Sequence, residues 1–203
     1  MAESKSKKKF YAVLGGRSGD AIYTSWDACK AQVMGVKGVI YKGFPTRPEA
    51  EAFMGASSAL AEPLPPEALA VAYVDGSYYG GEFSCGAVLF YQGGQVEFSK
   101  KFADKDLAAM HNVAGEIMGA LTVIDYCIEQ GIPALEIHHD YEGVAKWALG
   151  QWKANKPGTI AYAAACQKAR EKLRLHFVKV KGHSGDKYND MADRLAKQAL
   201  GLA

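Results

Sequence analysis

From Asn112 to Gln130 the apolar residues Ile117, Ala120, Leu121, Ile124 and Ile128 recur at three- and four-residue intervals, which writes one long amphipathic helix. It stops before Gly131-Ile132-Pro133, a sequence that cannot continue a helix. The runs on either side, LAVAYV from Leu69 and ALEIHH from Ala134, read as buried strands. A helical crossover of this length joins parallel neighbours. Two strands joined in this way leave the sheet at the same edge, so the residues that follow them are brought together.

The rest of this segment fits around that unit. FSCGAVLFY and QVEFSKKFA, separated at Gly93-Gly94, complete a three-stranded meander with LAVAYV. After ALEIHH come a helix EGVAKWALGQW, a break at Pro157-Gly158, a second helix IAYAAACQKAREKL, a strand LHFVKV and a last helix NDMADRLAKQAL. The order βββαβααβα predicts an α/β domain over residues 69–203, with a mixed five-stranded sheet covered by helices on both faces.

Upstream, Gly55 to Ala68 holds three of the seven prolines and no aromatic residue, and reads as a linker over residues 55–68. Residues 1–54 then form a separate module: strands FYAVLGG, AIYTSW and GVIYKGF, a short helix DACKAQVMG, and a helix TRPEAEAFM with Thr46 as cap and Pro48 in its first turn. This predicts a small three-stranded α+β domain. The formal net charge of +2 hides a segregation: residues 1–54 carry nine basic against five acidic residues, whereas residues 69–203 carry fifteen of each. The four cysteines are widely spaced, with no C-x-x-C pair, which excludes a zinc knuckle or a disulfide framework. No run approaches the length of a membrane span and the start MAESKSKKKF has no apolar core for export, so the expectation is a soluble cytoplasmic protein without a membrane partner.

Asp75 follows LAVAYV and Asp140 follows ALEIHH, so both acids are expected at the shared strand edge. Glu116 sits one turn into the crossover helix beside its apolar face, and the last helix offers Asp190 and Asp193. The flexible loop Gly182-His183-Ser184-Gly185 precedes that helix and adds an imidazole. Each acid alone reads as a turn residue or helix cap. Together they repel by roughly 4 kcal/mol for each pair at 4 Å in an effective dielectric of 20. No fold accumulates that repulsion for stability, so cations belong among them. Hard carboxylate oxygens, with neither Cys nor a paired His, select Mg2+ or Mn2+ over Zn2+. Two divalent ions nearly neutralise four acids, the arrangement for in-line displacement at phosphorus.

VDGS at Val74–Ser77, NVAGE ending at Glu116, HDYEG around Asp140 and VKGHSGDKYNDMADRLAK from Val180 resemble, in order and spacing, the four acidic motifs of type I ribonuclease H across residues 69–203. YAVLGGRSGDAIYTSWDACKAQV with YKGFPTRPEAEAF resembles the amino-terminal hybrid-binding domain of such enzymes, related to caulimovirus viroplasmin. The resemblance implies an endoribonuclease that cuts the RNA strand of RNA/DNA hybrids, leaving 3′-hydroxyl and 5′-phosphate ends. It implies Asp75, Glu116, Asp140 and Asp193 as ligands of two Mg2+ ions, with Mn2+ able to substitute, and it selects Asp193 over Asp190. His183 would assist proton transfer or product release. Gly76, Ser77 and Asn112 would meet the hybrid in its minor groove, where the 2′-hydroxyls mark RNA. Trp26 and Lys42 would hold the DNA strand, and double-stranded RNA is a further ligand that module could take. The expected state is a monomer.

Three features depart from relatives, one being Gly43 after Lys42, where some carry a second Lys. Val113 stands where many carry a polar residue, and Trp147 to Thr159 holds only Lys153 and Lys156, unlike the strongly basic protrusion that some use to grip the hybrid. The tethered module is therefore expected to supply that grip. The competing readings are a catalytically inactive protein that binds hybrid or double-stranded RNA, which the presence of all four acids disfavours, and a strand transferase of the same fold, which would lack the GHSGD loop.

Overall fold

A computed structural model of the chain describes residues 10–36, 39–58, 65–182 and 185–202, so the lysine-rich start at Lys5–Lys9 and the central part of the expected linker lie outside the described residues. The chain divides into two compact units, Met1–Pro63 and Leu64–Ala203. Among the described residues no helix is long and apolar enough to cross a membrane.

The first unit contains β1 (Phe10–Gly16), β2 (Gly19–Tyr23), α1 (Trp26–Val33), β3 (Ile40–Phe44) and α2 (Arg47–Ser58). Its antiparallel sheet has the order β2-β1-β3. Alternation along β1 sends Val13 to one face, where it packs with Cys29 and Val33 of α1, and Ala12 to the other, where it packs with Phe44 and Ala50 of α2. Trp26 is expected at the end of a strand but opens α1 instead. Ser25 explains the shift: its backbone is extended and its Oγ accepts from the amide of Ala28 at 3.2 Å, so the helix begins one residue earlier than Asp27. Thr46 caps α2 as expected, accepting from the amide of Glu49 at 3.4 Å.

The second unit opens with a short 3-10 turn, Pro66–Ala68. It continues with β4 (Leu69–Tyr79), β5 (Glu82–Tyr91), β6 (Gly94–Phe102), α3 (Lys105–Ala108), α4 (Asn112–Glu129), β7 (Ala134–His139), α5 (Glu142–Ala148), α6 (Pro157–Ala169), β8 (Arg174–Lys179) and α7 (Lys187–Ala199). The five strands lie in the order β6-β5-β4-β7-β8, with β4, β7 and β8 parallel and the remainder antiparallel. This is the mixed sheet the crossover requires.

Four local readings change. β4 does not end before Asp75 but runs on to Tyr79, because its ladder with β5 continues to the Tyr79–Glu82 pair while its ladder with β7 stops at Tyr73–His138. Asp75 thus lies inside a strand, yet beyond the last residue paired on the β7 side. The helix α3 is an addition, nucleated by Asp104, whose carboxylate accepts from the amides of Asp106 and Leu107 at 2.9 Å. The helix α5 ends at Ala148 rather than Trp152, because Gly150 takes φ +69 and the amides of Gln151 and Trp152 fold back onto the carbonyl of Lys146. Pro157 begins α6 instead of preceding it, since the first helical position needs no amide hydrogen, and α6 ends at Ala169 rather than Leu173.

Helices cover both faces at very short range. Register places Val74, Gly76 and Cys85 on one face of β4 and β5 and Asp75, Gly86 and Ser84 on the other. On the first face α4 buries Ile117, Ala120 and Ile124 against Val74, Leu135 and Ile137. At Gly76 and Gly115 its backbone comes so close that a Cβ on Gly76 would overlap the carbonyl of Asn112, and one on Gly115 the carbonyl of Ser84. On the second face a Cβ on Gly86 would overlap the carbonyl of Ala192 in α7. Ser84 and Ser99 lock that helix by donating from Oγ to the carbonyls of Ala196 at 2.6 Å and Leu195 at 2.9 Å. Gly115→Ala is therefore expected to cost about 1 to 3 kcal/mol by overpacking, read as a lower denaturation midpoint with an unchanged slope. A wild-type midpoint would mean that α4 can retreat from the sheet at no cost.

Candidate active site

Asp75, Glu116 and Asp140 each present an oxygen atom, and these atoms lie within 4.8 Å of one another. The cause is local. The tight Gly76–Gly115 contact fixes the residues next to those glycines, Asp75 and Glu116, while Asp140 leaves the end of β7 alongside. Asp75 is 8% exposed and Glu116 5%. The amide of Gly76 donates to Asp75 Oδ1 at 2.7 Å, whereas Glu116 Oε2 is buried with no hydrogen-bond partner. Asp193, from the middle of α7, lines the same cleft of about 250 Å³, together with Gly76, Ser77, Tyr78, Asn112 and Lys197. Asp190 is exposed and is not among the residues lining the cleft. His183 lies outside the described residues, but Gly182 before it sits against the carboxylate of Asp140.

Electrostatics follow from this crowding. Burial, then the charge of Asp140, pushes Asp75 up to about 7 against the pull of the Gly76 amide. Glu116 is pushed up to about 9, again by burial first and then by Asp140 and Asp75. Without a cation, Glu116 therefore favours its protonated form at neutral pH, while Asp75 stands between its two forms. A buried carboxylate oxygen without a partner, inside an all-oxygen donor set, fits a hard divalent ion.

A second cleft of about 430 Å³ is lined by Tyr141, Trp147, Lys153, Asn155, Lys156 and His111, among others. Tyr141 directly follows Asp140, and its ring lies 5.8 Å from that of Trp147, which lies 5.8 Å from that of Trp152. His111 has φ +53 and its ring lies tilted at 4.5 Å from that of Tyr78, a residue of the acidic cleft. Sequence reading missed this feature, because its cations were too few to register as a basic run and its aromatics straddle the end of α5. In the first unit the ring of Trp26 lies tilted against those of Tyr11 at 5.7 Å and Tyr41 at 5.8 Å, and Trp26 and Tyr41 are 42% and 47% exposed. Lys42 alternates to the opposite face of β3, over the ring of Phe44 at 5.5 Å. The expected platform thus comprises three aromatic rings, with Lys42 across the sheet from them.

The family model for RNase H matches residues 67–201. This chain belongs to the ribonuclease H family of enzymes. A second family model, the ribonuclease H1 N-terminal domain, matches residues 9–54. Ribonuclease H of Chlorobium phaeobacteroides is 30% identical over 142 residues, covering 64% of this chain and 94% of that protein. Ribonuclease H of Crithidia fasciculata is 45% identical over 56 residues, which is 28% of this chain but only 11% of that longer protein. In fold, the crystal structure of RNase H1 from Halobacterium salinarum NRC-1 matches with a TM-score of 0.56 at 23% identity, over 66% of this chain and 99% of that one. LC11-RNase H1, solved in complex with an RNA/DNA hybrid, matches with a TM-score of 0.50 at 18% identity, over 64% and 99% of the two chains. Ribonuclease H enzymes use divalent ions, and in this chain Asp75, Glu116 and Asp140 form a cluster whose oxygens could hold one.

A carboxyl held above its ordinary value stabilises the fold while protonated, and that contribution is lost as pH rises through the raised value. His139, held low by burial, acts in the opposite direction and only at acidic pH, so the informative window is pH 7 to 9. In chelator, the melting temperature is expected to fall across this window as Glu116 and Asp75 ionise. Glu116→Gln should flatten the decline, and a wild-type profile without slope would contradict the assigned burial.

Proposed function

We propose that this protein hydrolyses the RNA strand of RNA/DNA hybrids internally, leaving 3′-hydroxyl and 5′-phosphate ends. The observation that carries this reading is the triad of buried Asp75 and Glu116 with half-buried Asp140, whose oxygens lie within 4.8 Å of one another and which leaves Glu116 Oε2 unpartnered. Asp75, Glu116, Asp140 and Asp193 would hold two Mg2+ ions, with Mn2+ as substitute. When bound, these ions supply charge stabilisation at the scissile phosphate and a water acidic enough to attack near neutral pH. In the reaction a water oxygen bonds to phosphorus, the bond to the 3′-oxygen breaks, and the departing oxygen takes up a proton. His183 is assigned to that proton or to release of the product.

Substrate recognition divides among three surfaces. Gly76, Ser77 and Asn112 line the acidic cleft and are suited to the minor groove, where a ribose can be told from a deoxyribose by its 2′-hydroxyl. An acidic centre repels a polyanion, so the duplex must be held from beside it. The second cleft, with Trp147, Lys153 and Lys156, has the aromatic and cationic character needed for the backbone of the other strand. The catalytic unit thus has a grip of its own, modest in charge, which the tethered module supplements through Trp26, Tyr11 and Tyr41, with Lys42 on phosphate.

End-labelled RNA presented in a hybrid, alone or in an RNA duplex should be cut only in the hybrid and only with Mg2+. Asp75→Asn should slow that cleavage at least about a hundredfold, as expected when several kcal/mol of charge stabilisation are lost, while leaving hybrid binding intact. Undiminished cutting would remove Asp75 from the metal site.

Trp26→Ala is expected to weaken binding of the full chain to hybrid by about 1 to 3 kcal/mol, the range for one lost base-stacking platform, with kcat at saturating hybrid retained. Titrations with hybrid and with double-stranded RNA would show which duplex the platform serves. An unchanged Kd for both would reject it.

A further inference from the structure

The acidic cleft contains its own cation. Among the described residues that line it, Lys197 carries the only positive charge. Its Nζ lies 2.7 Å from Asp193 Oδ2, one turn earlier on α7. The pair is accessible, with the two side chains 43% and 25% exposed. Lys179, which ends β8 beside the end of β7, is engaged differently, since it donates to the backbone carbonyls of Asp140 at 2.8 Å and Val180 at 3.2 Å. The four acids are consequently not equivalent. Asp75, Glu116 and Asp140 form a close group, whereas the fourth carboxylate, Asp193, is held in an ion pair with Lys197.

Resting on the metal-site reading above, we propose that Lys197 is a tethered competitor for the cation position that uses Asp193. A lysine suits this role: its ammonium is a compact point charge on a flexible four-carbon stem, and it can leave a carboxylate without rearranging the fold. A divalent ion reaching Asp193 must displace it, whereas one reaching the inner triad meets no such rival. The two positions should therefore fill at different cation concentrations, with the Asp193 side the weaker. Arc geometry on α7 keeps the rival available, because residues four apart share one helix face.

The test is direct binding of Mn2+ to the full chain without nucleic acid, followed by titration calorimetry and by the paramagnetic signal of free Mn2+. Wild-type protein should show a tighter and a weaker constant. Lys197→Gln should tighten the weaker one about three- to fivefold, the scale of an accessible ion pair, and leave the tighter one in place. Lys197→Arg, which keeps a cation that can pair with Asp193, should leave the weaker constant no tighter than in wild type. In the Asp193→Asn background, Lys197→Gln should change neither constant, because the contested ligand is gone; a general gain from removing a positive charge would persist there. Constants unaltered by Lys197→Gln alone, or tightened equally with and without Asp193, would overturn the proposal. Asp75→Asn separates this from the underlying reading: if it too leaves Mn2+ binding untouched, the metal site itself is misassigned.

Discussion

The backbone of α4 touches the β4–β5 pair without any side chain between them, and the active site depends on that contact. Gly76 and Gly115 meet where any Cβ would overlap a carbonyl or amide of the facing element. Asp75 and Glu116 are the chain neighbours of these glycines, so the helix cannot pack without driving the two carboxylates together. Gly86, paired with Asp75 across the β4–β5 ladder, performs the same service on the opposite face, admitting α7 and with it Asp193. Three glycines thereby position three acids. The large apolar residues of the core, such as Ile117 and Ile124, supply the drive for this packing but not its precision.

The same closeness makes the site costly to the fold. Burial and mutual repulsion hold Asp75 and Glu116 above their ordinary ionisation range, and one oxygen of Glu116 has no partner. A structure selected for stability alone would replace such a group with an apolar residue. A cation bound there, as proposed, would recover what folding alone does not, and would link metal affinity to fold stability. The rim of the cleft tempers the arrangement: Lys197 satisfies Asp193 in a region open to water, where an ion pair is weak enough to exchange.

Much of this was legible in the sequence because it rests on periodicity. The three-and-four spacing from Ile117 to Ile128 and the strands around it sufficed for a parallel β4–β7 pair and for the mixed sheet. The convergence of Asp75, Glu116 and Asp140 followed from topology, since acids at one sheet edge must meet. What escaped depended on local hydrogen bonds that compete with pattern. Ser25 recruited Trp26 into α1, Gly150 ended α5 early, and Pro157 opened α6 rather than interrupting it. The extension of β4 past Asp75 escaped for a related reason: Gly76 and Ser77 look like turn residues, yet a ladder with β5 holds them in a strand. The second cleft was invisible because it is assembled from the loop before α4, the residue after Asp140 and the chain between α5 and α6, which share no sequence pattern.

Charge distribution follows from these constraints. A unit that concentrates acids to hold cations repels a nucleic-acid backbone wherever those cations are absent, and its own fifteen basic residues are balanced by fifteen acidic ones. Attraction must then be local, as in the cleft of Lys153 and Lys156, or come from a separate module with spare positive charge. Residues 1–54 provide that excess together with an exposed aromatic surface, a combination that binds through stacking and phosphate contact without needing to read bases. Separating grip from chemistry lets each be tuned alone: cations placed beside the acids would compete for the same carboxylates, whereas cations on a separate module would not. The segregation of charge along the chain is the consequence of an active site that must stay negative while its substrate is negative too.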